Sequence, residues 1–378
     1  GLIGSFFIGV MYVNTVHALL FTEYELCKRL RVRNLTFVAL VHETFALCSK
    51  RVQKLSGFFK FLMYFYYGVP IGNSIYLIII ATNMKGILDH VFEQKLSLQE
   101  MMTIIVVPVT LLCLIPKLKF LVPLSILTNI FTVVNVIVIL FYSMNPGQMG
   151  RDTRPVENLN KLPQFFSMML QSLYVTGIAL PLKNNMREPK DFSKPFGVMN
   201  VSFGLVITLY TTFGLVGYLN YGSEVQENIL SNLPPGHLVT NAVYILYSLA
   251  LCVTYTLVFY VYFDTIWTNV VKDKVASSGH EKLSAYGLRL ILSILAFVMA
   301  VAIPNFALLT TIVGTIGILL EISLPAILQI ILLLTSDSFS PMMVGKHVLK
   351  DAIILMLALS MFIMSCKHCI HEIITLYS

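Results

Sequence analysis

Ten stretches of this chain are each long and apolar enough to cross a bilayer, and little sequence is left between them from which to build anything else. They run at about 1–21, 58–81, 99–116, 121–142, 163–182, 196–219, 237–267, 284–303, 306–334 and 348–370. A spanning helix needs about 20 mostly apolar residues. A membrane β-barrel would instead alternate apolar and polar positions over segments of about 10 residues, and runs such as Ile75-Tyr-Leu-Ile-Ile-Ile-Ala81 do not alternate. Composition agrees: 12% of the 378 residues are charged and the mean hydropathy is +0.80, whereas soluble domains carry roughly 25% charged residues. The expected fold is an all-α multi-pass membrane protein, with one transmembrane domain over residues 1–378.

The net charge of +7 would suit an acidic partner, but in a membrane protein the placement of Lys and Arg says more than their sum. Residues 28–60 hold eight of them, 117–119 two, 183–194 four, 272–289 four and 346–350 two, which makes 20 of the 26 on alternate loops. The opposite side has Lys85, Lys95, Arg151, Arg154, Lys161 and Lys367. The first set is therefore assigned to the cytoplasm, and nucleic acid is not an expected partner. Residues 22–57 form a cytoplasmic connector, with 31–54 too polar to span and better suited to an amphipathic helix or pair of turns on the membrane surface. Gly1 then lies on the outer side, with no initiator Met, positively charged leader or cleavage site ahead of it. This creates the expectation of a further helix upstream.

Signatures of enzymes are missing from the sequence: there is no HExxH, P-loop, GxSxG or pair of intramembrane aspartates. No enzyme and no cofactor are expected. Six cysteines in a chain this long do not make a disulfide scaffold. Cys366-Lys-His-Cys369-Ile-His371 reads as ordinary spacing at a helix end rather than as a metal site, since structural zinc takes four well-placed ligands.

Ionisable residues inside a span are informative because a charge there costs about 2.5 to 3.5 kcal/mol even on the lenient insertion scale. Glu321, near the middle of 306–334, reads either as a proton- or cation-carrying carboxylate or as a protonated acid bonded to a neighbouring Ser or Thr. His17 and Asp264 lie near cytoplasmic ends, where polar side chains reach water. In Ser172-Leu-Tyr-Val-Thr-Gly-Ile-Ala-Leu-Pro181, Pro181 removes the hydrogen bond to the carbonyl of Gly177, and glycine lets the backbone leave the helix. Such a break is either a kink packed in the bundle or an unwound segment lining a cavity, as in transporters.

The segment Gly177-Ile-Ala-Leu-Pro-Leu-Lys-Asn-Asn-Met-Arg-Glu-Pro189 is similar to the motif G-x-x-L-P-L-E/K-N-x-M-K/R-D/E-P of the proton-coupled amino acid transporters, a branch of the amino acid/auxin permease superfamily. The likeness extends through Gly217-Tyr-Leu-Asn-Tyr-Gly222, Asn232-Leu-Pro234, Leu246-Tyr-Ser248, Thr254-Tyr255, Phe259-Tyr-Val261, Ile303-Pro304 and Val313-Gly314. The resemblance implies a leucine-transporter-like inverted five-helix repeat plus an extra C-terminal helix. Ten of the eleven helices would be present and the first missing.

It further implies secondary active transport of small neutral amino acids of the glycine, alanine and proline class by proton symport, in a plasma membrane or a lysosomal or vacuolar membrane. The fifth span would correspond to the family's unwound sixth helix, which makes Ser172, Tyr174, Thr176 and Gly177 the expected substrate-binding residues, Gly177 and Pro181 the helix break, and Glu321 a candidate proton site. Tyr210, Thr211 and Thr212 would bond across helices. Two positions depart from the family: Tyr174 stands where it has Glu, and Asn14 where it has an intramembrane His. Neither side chain titrates near neutral pH, so an uncoupled carrier and a membrane-bound amino acid sensor without net transport are the competing readings.

Overall fold

The computed structural model describes residues 1–91, 96–115, 122–143, 161–174, 176–226, 228–234, 236–275, 280–336 and 339–377. Lys95, Lys117, Lys119, Arg151, Arg154 and Val175, and the ends at 116 and 121 of two expected spans, lie outside the described residues. Regular structure among the described residues is entirely helical. The helices are α1 (Leu2–Leu30), α2 (Phe37–Ala46), α3 (Lys50–Gly68), α4 (Ile71–Val91), α5 (Leu98–Cys113), α6 (Val122–Ser143), α7 (Leu162–Ser172), α8 (Thr176–Asn185), α9 (Val198–Tyr221), α10 (Leu238–Ile266), α11 (Lys272–Val275), α12 (Glu281–Ala302), α13 (Phe306–Gly317), α14 (Leu324–Leu334) and α15 (Pro341–Tyr377). Two π-helical turns, Trp267–Val271 and Ile318–Ser323, join α10 to α11 and α13 to α14.

Eight helical runs are long and apolar enough to span: Leu2–Leu30, Lys50–Asp89, Pro123–Tyr142, Val198–Tyr221, Leu238–Val275, Glu281–Ala302, Phe306–Leu334 and Pro341–Leu376. The two remaining expected spans fall on the shorter apolar α5 and on the stretch divided between α7 and α8. This is a multi-pass membrane protein.

Local chemistry explains the ends of these helices. α1 runs past the expected limit at residue 21 and stops where Arg31 turns left-handed, at φ 56°, and Val32 N–H caps the Cys27 carbonyl at 3.1 Å. Lys28 and Arg29 in its last turn complement the negative end of the helix dipole. In the connector, Thr36 caps α2 by accepting from Ala39 N–H at 3.2 Å. The buried face of α2, Phe37, Leu40, Val41 and Phe45, packs toward α1 and α14. α5 opens with a reciprocal capping box between Ser97 and Glu100.

The chain divides into two compact units: Gly1–Met63, Val156–Gly214 and Thr310–Ser378 form the first, Tyr64–Pro155 and Leu215–Leu309 the second. The first packs α1 against α7, α8, α14 and the Ile318–Ser323 turn, and α15 against α7, α14 and that same turn. Gly314 allows the closest approach, since a β-carbon there would collide with the Ser167 backbone. Around this contact the hydroxyls of Ser167, Thr315 and Ser365 bond to one another, Ser365 at 2.6 Å from Ser167 and 2.8 Å from Thr315.

The second unit packs α4, α5, α6, α10 and α12. Here side chains reach backbone carbonyls of neighbouring helices: Ser74 donates to Ala296 at 2.8 Å and Asn73 to Tyr255 at 3.1 Å. Arg289 donates through Nη1 to the carbonyls of Cys113 and Ile115, at 2.6 and 3.0 Å, and lies 4.0 Å from the Phe263 ring centroid. Those carbonyls belong to the C-terminal end of α5, which the cation satisfies in place of water.

Candidate functional site

The break in the fifth apolar stretch comes earlier than its glycine and proline indicate. α7 ends at Ser172, where Leu173 N–H folds back on the Met169 and Leu170 carbonyls at 3.2 and 3.0 Å, and α8 begins at Thr176. Gly177 and Pro181, expected at the break, both lie inside α8. The reason is economical. Pro181 withholds its bond from a carbonyl in the first turn, so a ten-residue helix starting at Thr176 loses only that one bond to it.

Ending one helix and starting another at membrane depth exposes carbonyls on one side and N–H groups on the other. Nearby side chains meet both. The Ser172 carbonyl accepts from Tyr210 Oη–H at 3.3 Å, and Thr176 N–H donates to Tyr12 Oη at 3.1 Å.

Tyr12 also reaches the buried carboxylate. Its hydroxyl donates to Glu321 Oε2 at 2.6 Å and lies 3.0 Å from Thr176 Oγ1. Tyr12 and Thr176 are both 0% exposed and Glu321 is 1% exposed, and the Tyr12 ring is held by Phe203 with centroids 5.5 Å apart. Glu321 therefore has a phenol among its partners, a residue type not considered from sequence.

The turn that carries it is irregular for a local reason. Pro325, in the first turn of α14, has no N–H to give the Glu321 carbonyl. The chain widens into a π turn, with Leu324 N–H reaching Leu319 and Ser323 Oγ reaching Ile318 at 3.0 Å. Thr176 and Glu321 are thus brought together, with Tyr12 between them.

The other expected site residues are placed differently. Ser172 is exposed and its hydroxyl bonds back to Met168 of its own helix at 2.9 Å. Tyr174 is half-buried in the gap between α7 and α8, and Gly177 is half-buried in the first turn of α8. Asn14 donates to Val10 of its own helix at 2.9 Å. His17 Nε2 lies 2.9 Å from Asn200 Oδ1 rather than reaching water alone.

Two further buried acids belong to the same unit. Glu23 is paired with Lys183 of α8. Asp351, 0% exposed, lies 3.2 Å from Lys350 Nζ and accepts from the Gln329 amide at 2.7 Å when that amide turns its nitrogen to the carboxylate. Tyr12, Glu23 and Asp351 were not singled out from sequence. Glu23 fell beyond the expected end of the first span, and Asp351 sits beside a lysine near a span end. A phenol in an apolar run at Tyr12 was the available signal.

The family described as transmembrane amino acid transporter protein matches residues 1–371. The chain is 28% identical to the proton-coupled amino acid transporter-like protein pathetic of Drosophila melanogaster over 392 aligned residues, covering 100% of this chain and 79% of that protein. It is 25% identical to the amino acid transporter AVT3A of Arabidopsis thaliana, covering 79% of this chain and 67% of that protein. Similarity to the vacuolar amino acid transporter 4 of Saccharomyces cerevisiae is 28% identity over 47% of this chain and 26% of that protein. An all-helical membrane chain with its motif-bearing segment interrupted at Leu173–Tyr174 and matched along nearly its whole length belongs to the transmembrane amino acid transporter family, whose members are transporters and not enzymes.

Proposed function

We propose that this protein is a secondary active transporter of small neutral amino acids, glycine, alanine and proline, that moves them together with protons. The observation that carries the reading is the bonded cluster at the α7–α8 break, where the first turn of a short helix and a buried carboxylate share one tyrosine. The positive end of α8 suits the carboxylate of an amino acid zwitterion, and the half-buried Gly177 leaves little side chain in the way. Tyr174 and the backbone of the gap would meet the ammonium group. Glu321 is the proton site of this reading, since it is a buried acid inside a span and is bonded to Tyr12 beside the break. The protein is read as one transporter domain of ten helices, in a plasma membrane or a lysosomal or vacuolar membrane, alternating access by rocking around its interrupted helices.

A second reading, carriage without proton coupling or sensing without net transport, is favoured by Tyr174 and Asn14 at the family's acid and histidine positions. Uptake of radiolabelled glycine, alanine and proline by the purified chain in proteoliposomes, with and without an inward proton gradient, decides among these. Accumulation above equilibrium driven by the gradient is the expected result. Uptake that only equilibrates supports the uncoupled carrier, and binding without uptake supports the sensor.

A further inference from the structure

Thr176, Tyr12 and Glu321 make a line of hydrogen bonds whose polarity turns on one proton. A phenol has a single hydrogen to give. With Glu321 ionised, that hydrogen is committed to Oε2 at 2.6 Å. The phenolic oxygen is then left to accept from Thr176 N–H at 3.1 Å and from the Thr176 hydroxyl at 3.0 Å, so the threonine hydrogen points at Tyr12 and away from the break. With a proton on Oε2, the acid donates to Tyr12, Tyr12 donates to Thr176 Oγ1, and the threonine hydrogen is released. Each oxygen–oxygen contact survives the reversal, so no heavy atom need move, and the hydrogen that loses its acceptor is that of the Thr176 hydroxyl.

We propose that Tyr12 is a positioning residue that transmits the protonation state of Glu321 to the α7–α8 break, where proton loading turns the Thr176 hydroxyl into a donor for the carboxylate of the bound amino acid. This rests on the transport reading above. The proton moves only between bulk water and Glu321; Tyr12 exchanges one partner for another and is neutral in both states. The order of events follows: proton first, substrate second, because an ionised Glu321 holds the threonine hydrogen that the substrate needs.

The ionisable groups on the packed elements leave this exchange to Glu321. α13 and α14 carry none apart from the turn itself, and α15 carries none between Asp351 and Cys366. Asp351 bonds Gln329 of α14, eight residues on from Glu321, or about 12 Å along the helix. On α1 the next ionisable group after Tyr12 is His17, which bonds Asn200, and α9 presents Phe203 to the tyrosine.

The test is the KM for radiolabelled alanine uptake by the full chain in proteoliposomes, measured at about pH 5.5 and about pH 7.5 and compared with kcat. For the unaltered protein, KM is expected to be about tenfold lower at the acid pH, the factor that one hydrogen bond to a charged group supplies. Tyr12→Phe keeps the ring on Phe203 and should show the same KM at both pH values, whatever happens to its kcat. Thr176→Ser keeps both donors and should restore the tenfold shift, whereas Thr176→Val should lose it. A Tyr12→Phe protein that retains the shift overturns the relay, as does an unaltered protein whose uptake or binding of alanine is independent of pH. Neither uptake nor binding by the unaltered chain at either pH overturns the transport reading, and the relay with it.

Discussion

The two units bury charge of opposite sign and put it to different ends. Among the described residues, the buried carboxylates Glu23, Glu321 and Asp351 all belong to the first unit, while the buried charge of the second is Arg289. Arg289 is permanently cationic and is bonded to backbone carbonyls that never titrate, at the end of an otherwise regular helix. The acids of the first unit meet side chains, and two of them reach the short helix α8, Glu23 directly through Lys183 and Glu321 by way of Tyr12. A charge that cannot change suits carbonyls that never titrate. A charge that can be neutralised is useful only where the backbone it touches has alternatives, and the α7–α8 gap and the Ile318–Ser323 turn that bears Glu321 are in the first unit, whereas the π turn of the second, Trp267–Val271, carries no buried side chain.

That contrast can be broken experimentally. The largest effect is expected from Glu23→Gln, which strands Lys183 without its counter-charge and should lower stability in detergent by about 3 to 5 kcal/mol. The double change Glu23→Gln with Lys183→Met should recover most of the loss in a thermal melt. Arg289→Met in the second unit orphans two carbonyls and loses a cation–π contact, a loss of about 2 to 3 kcal/mol. The pH dependence of its alanine uptake should stay as in the unaltered protein; a flattened pH profile would show that the fixed cation also takes part in coupling.

Glu321→Gln reverses that pattern. Its melting point should shift by the equivalent of about 1 kcal/mol or less, because the amide still bonds Tyr12, but uptake should no longer respond to the proton gradient. The smallest effect is expected from Ser74→Ala, about 0.6 kcal/mol, typical of one interhelical hydrogen bond in a membrane protein. It should leave transport kinetics unaltered.

The apolar runs made the helices legible because a span must satisfy its own backbone and hide its peptide groups from lipid. The charge count and the segment 177–189 likewise carried the family without any tertiary information. What could not be read was the place where the helix stops. Gly177 and Pro181 advertise a break, but the chain stops at Ser172, and the first turn of α8 absorbs the proline. Nor could the pairing of Tyr12 with Glu321 be read, since 309 positions separate them and neither residue belongs to the motif. Glu321 itself stood out because a lone acid in 306–334 is expensive anywhere in a bilayer; its partner was invisible because a tyrosine in an apolar run is not. Ser172 looked like Thr176 in sequence, yet one hydroxyl folds onto its own helix and the other enters the cluster.

The π turn at Ile318–Ser323 has a consequence for anyone drawing this span as a single helical wheel. An extra residue in one turn advances the chain by about 100°, so the stripe that α13 shows its neighbours does not continue into α14. The two halves are out of phase by design of one residue. Deleting a single position from Ile318–Leu320 would let the wide turn close to an ordinary one and keep Thr315 and Gly314 in their present orientation to Glu321 and Gln329, whereas deleting one between Pro325 and Gln329 would shorten the span by only about 1.5 Å yet turn Gln329 by about 100° away from Asp351. In this segment, residue number encodes direction more strictly than it encodes depth.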